Sequence, residues 1–416
     1  MQLVEMKQEL RNSGRLSLFG IGLACFILFV TIRYAYLETS LRLVVYALPV
    51  LLGGLYLIRR FQHRPIATES TALIKSYFLP LFILYAGLAG LSLIVLVLNH
   101  QLSLRYIEEL LFIFVPLIAS AMLLLLYDKS NNQHWVRILF WGICLAFLVE
   151  TRFQLLRGID DVVFAVMRAG FLESTGIRTE SVLAFSFGLF ALIFIQKRDY
   201  THMVIALLMF VIAYKRVAIL GLGITIVAAP ILNILFRYNS FRRYLPYIAA
   251  LANLVFAMMI VLVGSGSFDG VITNSLAIDP DELTLGRREL YEDIINRFDI
   301  RPDNLPIVGY GLGSITNYLE SEGSNLVNPH SDILKNMIEF GMIGFSIWFI
   351  VLYNRQLRTF TGLMLMIYVN LIWMSDNVSI YFEVMFLFYT LSAFAILNTE
   401  PPSIHENRIH AHTTDS

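Results

Sequence analysis

HMVIALLMFVIAYKRVAILGLGITIVAAPILNILF, residues 202–236, is an apolar run of 35 residues interrupted only by Lys215 and Arg216. As one helix it would be roughly 52 Å long, against about 30 Å of bilayer hydrocarbon. Two adjacent cations at its centre would cost several kcal/mol on insertion. The run therefore reads as two crossings that meet in a tight turn at Lys215-Arg216, on one membrane face.

The rest of the chain has the same character. Hydrophobic residues make up 57% of the sequence and mean hydropathy is +0.68, and the surplus lies in blocks of about the length that crosses a bilayer. With the break at 215, the candidate spans are twelve: 16–32, 43–58, 76–98, 106–127, 137–151, 181–196, 202–214, 217–236, 245–264, 337–353, 360–374 and 380–397. The expected fold is an all-α, polytopic membrane protein, one membrane domain over 1–416, with a large extracytoplasmic loop at 265–336 and a short polar tail at 398–416. The first block starts after Arg15 without a small-residue cleavage signal, so it reads as a retained helix.

Charge sets the orientation. Placing both termini in the cytoplasm puts 17 lysines and arginines in the inner segments and 9 in the short outer ones. Long loops are left out of that count because they cross largely regardless of charge. Without the break at 215, Arg237, Arg242 and Arg243 would fall on the outer side. Total charge is balanced at 31 against 31, so no basic surplus points to nucleic acid. Cys25 and Cys144 lie inside apolar blocks, which argues against a disulfide framework or a thiolate metal site.

Two outer segments are long enough for chemistry. Residues 152–180 form an amphipathic stretch suited to lying on the membrane surface. The 265–336 loop is acidic overall, yet it keeps Arg287-Arg288 at the start of an amphipathic helix, RRELYEDIINRF, with Leu290, Ile294 and Phe298 on one face. Arginines kept in such a loop suggest a local anion, and guanidinium suits bidentate phosphate contacts. A snorkelling or solvated surface arginine is the plain alternative. Downstream, His330 follows Asn328-Pro329, and Ser331 or Asp332 can cap the helix that runs into the tenth span. An imidazole there can act as a base near neutral pH, or can simply be a surface histidine beside a proline.

Other motifs are less eligible. Gly309, Gly311 and Gly313 follow a GxGxG spacing without the strand-helix unit of a dinucleotide site, so they read as a turn packing the loop onto the membrane helices. Asp160, Asp161 and Glu173 read as solvated charge, and no cluster has convincing metal-ligand spacing.

The order YKRVAILGLGI, GRREL, IVGYGLG and NPHSDILKNMIEFGMIGF, with the large outer loop between the ninth and tenth spans, resembles the O-antigen ligase and polysaccharide polymerase superfamily. The resemblance implies a GT-C-like membrane glycosyltransferase of the bacterial cytoplasmic membrane that takes an undecaprenyl-diphosphate-linked glycan as donor at the outer face. By motif match, Arg216, Arg287 and His330 would be catalytic. Lys215, Arg288, Arg178, Asp332 and Lys335 would contact diphosphate or glycan. No cofactor or metal is implied. The implied partners are lipid-linked oligosaccharides and membrane lipids, with a chain-length regulator and a flippase as further candidates. HSD followed by Lys335 and Glu339, the SDN at Ser375–Asn377 and the RTES at Arg178–Ser181 look more like a polymerase than a ligase. A transporter is the competing class. It would place its polar residues at the membrane midplane, whereas here they sit at the outer face. A structural subunit would need none of them.

Overall fold

The structure is a computed structural model that describes residues 17–36, 40–62, 68–127, 134–151, 181–271, 273–274, 287–301, 304–322 and 329–398. Arg178, Asp160, Asp161, Glu173, the amphipathic 152–180 stretch and the tail beyond 398 lie outside the described residues.

The described residues are helical, with one isolated bridge, Arg301 to Asn304, and no strand. Apolar helices stand at all twelve expected places. The first five are α1 (Leu18–Ala35), α2 (Leu48–Phe61), α3 (Thr68–Leu98, with a π turn at Ile74–Phe78), α4 (Leu104–Leu126) and α5 (Trp135–Glu150). They are followed by α6 (Leu183–Lys197), α7 (Tyr200–Ala213), α8 (Arg216–Phe236) and α9 (Asn239–Gly264). Two amphipathic loop helices come next, α10 (Arg288–Arg297) and α11 (Ser314–Ser321). The chain closes with α12 (Asp332–Gln356), α13 (Phe360–Trp373) and α14 (Phe382–Leu397). Among the described residues seven helices are long and apolar enough to cross a membrane: α1, the 43–61 helix ending in α2, α3, α4, α8, α9 and α12. This supports a polytopic membrane protein.

The remaining five have 14 to 16 residues, and burial explains why α6, α13 and α14 are so short and apolar on every side. Every residue of α6 from Leu183 to Phe194 is buried, and α14 is buried almost throughout. Helices in contact with protein on all faces are apolar all round and need not match the lipid thickness. α6 is enclosed by α5, α7, α8, α13 and α14, while α14 also packs on α4.

The run at 202–236 breaks where its cations predict. α7 ends at Ala213, Tyr214 adopts a left-handed conformation (φ 34°, ψ 78°), Lys215 is extended, and α8 starts at Arg216. α7 turns back along α6, and the Ser181 amide donates to the Ala213 carbonyl at 3.0 Å. The starts of α6 and α8 therefore share one end of the bundle with the end of α7.

The loop before α12 docks on a break in that helix. Gly341 has φ 70° and ψ 171°, which leaves the carbonyls just before it without helical donors. The amides of Tyr310 and Gly311 occupy them, donating to Ile338 and Glu339 at 3.0 Å each, and the Met342 amide donates to Pro306 at 2.8 Å. A Cβ at Gly309 would lie 2.2 Å from the Glu339 carbonyl oxygen, so only glycine permits this approach. Gly311 lies against Leu96 of α3 and Gly313 against Arg105 of α4. The glycine-rich stretch is thus the turn that packs the loop onto the membrane helices.

Candidate active site at one end of the bundle

Five separated pieces of chain meet at this end: the α7–α8 break, the start of α6, the start of α10, the segment entering α12, and the turn between α13 and α14. Lys215 Nζ lies 2.7 Å from Asp376 Oδ2. The same ammonium sits 4.9 Å from the Phe185 ring centroid and 5.7 Å from that of Tyr381, and those two rings stack at 6.1 Å. The other carboxylate oxygen of Asp376 accepts from the Asn377 amide at 2.8 Å and the Tyr381 hydroxyl at 3.3 Å.

Arg287 joins the loop to this turn. Its Nη1 donates to the Ser375 carbonyl at 2.6 Å and to the His330 carbonyl at 3.3 Å. His330 has φ 51°, an unfavourable conformation for a non-glycine residue that typically costs about 1–3 kcal/mol. It is held on both sides: Arg287 takes its carbonyl, and Ser331 caps α12 by accepting from the Leu334 amide at 3.3 Å. The half-buried imidazole makes no hydrogen bond among the described residues. Burial first, then the Arg287 and Lys215 charges, push its pKa below the ordinary histidine value, with Asp376 opposing them. The imidazole is therefore neutral at neutral pH, the form that accepts a proton.

The remaining expected residues are placed differently. Arg216 is exposed at the first position of α8, beside the cluster in sequence, and has no partner among the described residues. That helix start has no side-chain cap. Arg288 pairs with Asp269 in the loop. Asp332 and Lys335, expected among the substrate contacts, face inward instead. Asp332 is fully buried and accepts from the Ser379 hydroxyl at 2.5 Å and the Ser379 amide at 2.8 Å. Lys335, buried on the inner side of α12, reaches Glu109 of α4 at 2.5 Å. Glu339, one turn on, accepts from the Gly313 amide at 3.0 Å. A lysine and glutamate four residues apart on one helix face, with the site loop packed against it, tie that loop to α4.

Sequence reasoning noticed the SDN at Ser375–Asn377 only as a point of resemblance and missed that it is the hub of the cluster. The available signal was an aspartate in a break of a few residues between two apolar helices. A second polar group was missed altogether. At the same end of the bundle Tyr34 donates to Glu383 at 2.5 Å, Arg33 lies 3.6 Å from that carboxylate, and Ser181 donates to Glu150 at 2.5 Å. These residues tie the ends of α1 and α14, and of α5 and α6.

The described residues thus form an all-helical, polytopic membrane protein with a cationic cluster and a half-buried histidine at one end of its bundle. Residues 201–349 match the family model described as O-antigen ligase, which supports membership of the O-antigen ligase and polymerase superfamily, whose members are membrane enzymes of glycosyltransferase type. The matched stretch includes Lys215, Arg216, Arg287 and His330 and stops short of Asp376. No curated protein and no solved structure matches the chain.

Proposed function

We propose that the chain is a polysaccharide polymerase that transfers a growing glycan from a lipid-diphosphate donor to a lipid-linked repeat unit at the outer membrane face. All twelve apolar helices cross the bilayer in this reading, with both termini inside. The observation that carries it is the convergence of Lys215, Arg287, His330 and Asp376, from four distant stretches of chain, on one end of the bundle.

The acceptor hydroxyl attacks C1 of the donor sugar, the C1–oxygen bond to the diphosphate breaks, and the anomeric centre inverts. His330 takes the hydroxyl proton, a role typically contributing about 10²–10⁴ in rate. Negative charge builds on the departing diphosphate. Arg216 and the uncapped start of α8 are placed to receive it, because a helix start offers free amides and a favourable dipole. Lys215 stands beside them. Arg287, bonded to the carbonyls on both sides of the cluster and to the Tyr291 side chain, sets the position of His330.

The O-antigen ligase description of the matching family favours a second reading, in which the acceptor is lipid A-core. Purified protein in liposomes with lipid-diphosphate repeat units decides between them. The polymerase reading expects ladders of longer glycan without added nucleotide, and expects them to vanish in His330→Ala and Arg216→Ala. Transfer only when lipid A-core is supplied establishes the ligase. Ladders unchanged in both variants would overturn the assigned roles.

A further inference from the structure

The loop before α12 reaches well below the end of the bundle that holds the cluster. In α3 the uncharged stretch 78–98 lies between Lys75-Ser76 and Asn99-His100 and is about 31 Å long, the thickness of bilayer hydrocarbon. α12 runs antiparallel to it: Arg355 Nη1 donates to the Ser76 carbonyl at 2.9 Å, and Trp348 Nε1 donates to the Tyr85 hydroxyl at 3.0 Å. The same register brings Leu88 against Gly344 and sets the Gly341 break roughly level with Leu91. Leu91 lies two turns, about 10 Å, below the apolar stretch's end at Leu98.

Residues 305–311, LPIVGYG, are held at that depth. The Pro306 and Ile307 carbonyls accept from the Met342 and Ile343 amides at 2.8 and 3.4 Å, while the Tyr310 and Gly311 amides donate to the Ile338 and Glu339 carbonyls. Backbone groups freed by a helix break within hydrocarbon must find partners in protein, and here the loop and the break supply them to each other. On one side of the segment, Val308 shares a narrow cleft with Leu88, Leu91 and Phe340. The other side is open: Ile307 is 59% exposed and Val308 52%. The large exposed side chains of α3 and α12 at this level, Leu91, Ile94, Ile343 and Ile347, are also apolar.

We propose that residues 305–311 form a re-entrant segment whose Ile307 and Val308 side chains rest among the acyl chains of the leaflet next to the cluster. Continuity selects the occupant. Both side chains extend the exposed apolar surface of two membrane-spanning helices, and contiguous exposed apolar surface marks a contact with an apolar partner. A water-filled groove at this depth would call for polar side chains along it, and LPIVG offers none. The segment is independent of the glycan reaction, and its test does not depend on activity.

The test is spin-label accessibility in the full-length protein, reconstituted in liposomes of phosphatidylcholine and phosphatidylglycerol, with Cys25→Ser and Cys144→Ser as background. A nitroxide on Val308→Cys should collide more often with oxygen, which concentrates in hydrocarbon, than with a water-soluble nickel chelate, as should one on Ile94→Cys of α3. A nitroxide on Ser321→Cys, exposed at the end of α11, should show the opposite ratio. Ile307→Cys gives the same readout should Val308→Cys fail to fold. A ratio at 307 and 308 that matches position 321 overturns the proposal, because the segment then faces water. Low accessibility to both reagents overturns it as well, because protein, such as a second copy of the chain, then covers the patch.

Discussion

Asp376 lies between cations of two kinds. Its carboxylate holds Lys215 at 2.7 Å, and the carbonyl of the preceding Ser375 accepts from Arg287 at 2.6 Å. It is also the negative charge that opposes Arg287 and Lys215 in setting the basicity of His330. In Asp376→Asn the uncompensated cations drive the His330 pKa further down. In the proposed reaction the neutral imidazole is the base, so activity is lost as pH falls through that pKa. The acid limb of the wild-type pH–rate profile should therefore lie below the ordinary histidine value of about 6.5, and that of Asp376→Asn lower still. An acid limb that moves to higher pH in the variant would contradict the assignment. The same depression has a sign for stability. Below pH about 6.5 the unfolded chain takes up a proton that folded His330 resists, so this residue weakens the fold on acidification. Lys215 and His330 drew notice in the sequence as polar residues at the edge of apolar blocks, and Arg287 as an arginine kept in an acidic loop. Asp376 did not, because a three-residue polar turn looks the same whether it faces solvent or binds a lysine from a distant helix.

At the scale of elements, the apolar blocks placed all twelve helices, and the break expected at Lys215-Arg216 from the desolvation of two cations falls at Tyr214-Lys215. The blocks did not reveal the break at Gly341, because EFGMIGF reads as continuous helix and the donors that stabilise the break come from residues 310 and 311, across a turn formed only in the folded protein. That docking is testable. Gly309→Ala drives a methyl group into the Glu339 carbonyl, an overpacking of about 1–3 kcal/mol that the loop can relieve only by moving off α12. Transfer activity should fall about 10²-fold, as expected for a misplacement of around 1 Å, while membrane insertion is retained. The Lys335 to Glu109 pair makes a second case. Lys335→Met leaves Glu109 buried without its partner, at a cost of about 3–5 kcal/mol. Adding Glu109→Gln removes the stranded charge. Melting of detergent-solubilised protein should rank wild type first, the double variant second and Lys335→Met last, and a double variant no better than Lys335→Met would show that the pair is not coupled.

For the whole molecule, the structure orders the two ends of the bundle. α8 starts at the Lys215–Asp376 cluster and ends at Phe236, so the α8–α9 turn and the end of α6 share the far end, while α11 packs on α4 and α12 beside the site loop. The charge count reads the far end as cytoplasmic, since Lys197, Arg198, Arg237, Arg242 and Arg243 all lie there. Exposed serines mark both ends, Ser240 at the start of α9 and Ser321 at the end of α11. In a background with Cys25→Ser and Cys144→Ser, an impermeant thiol reagent applied to intact cells should label Ser321→Cys and spare Ser240→Cys until the membrane is opened. Neither serine contacts the cluster, so labelling reports orientation separately from catalysis. The reverse pattern would put His330 in the cytoplasm, where nucleotide sugars are accessible, and would remove the physical reason for assigning a lipid-diphosphate donor to Arg216 and Lys215.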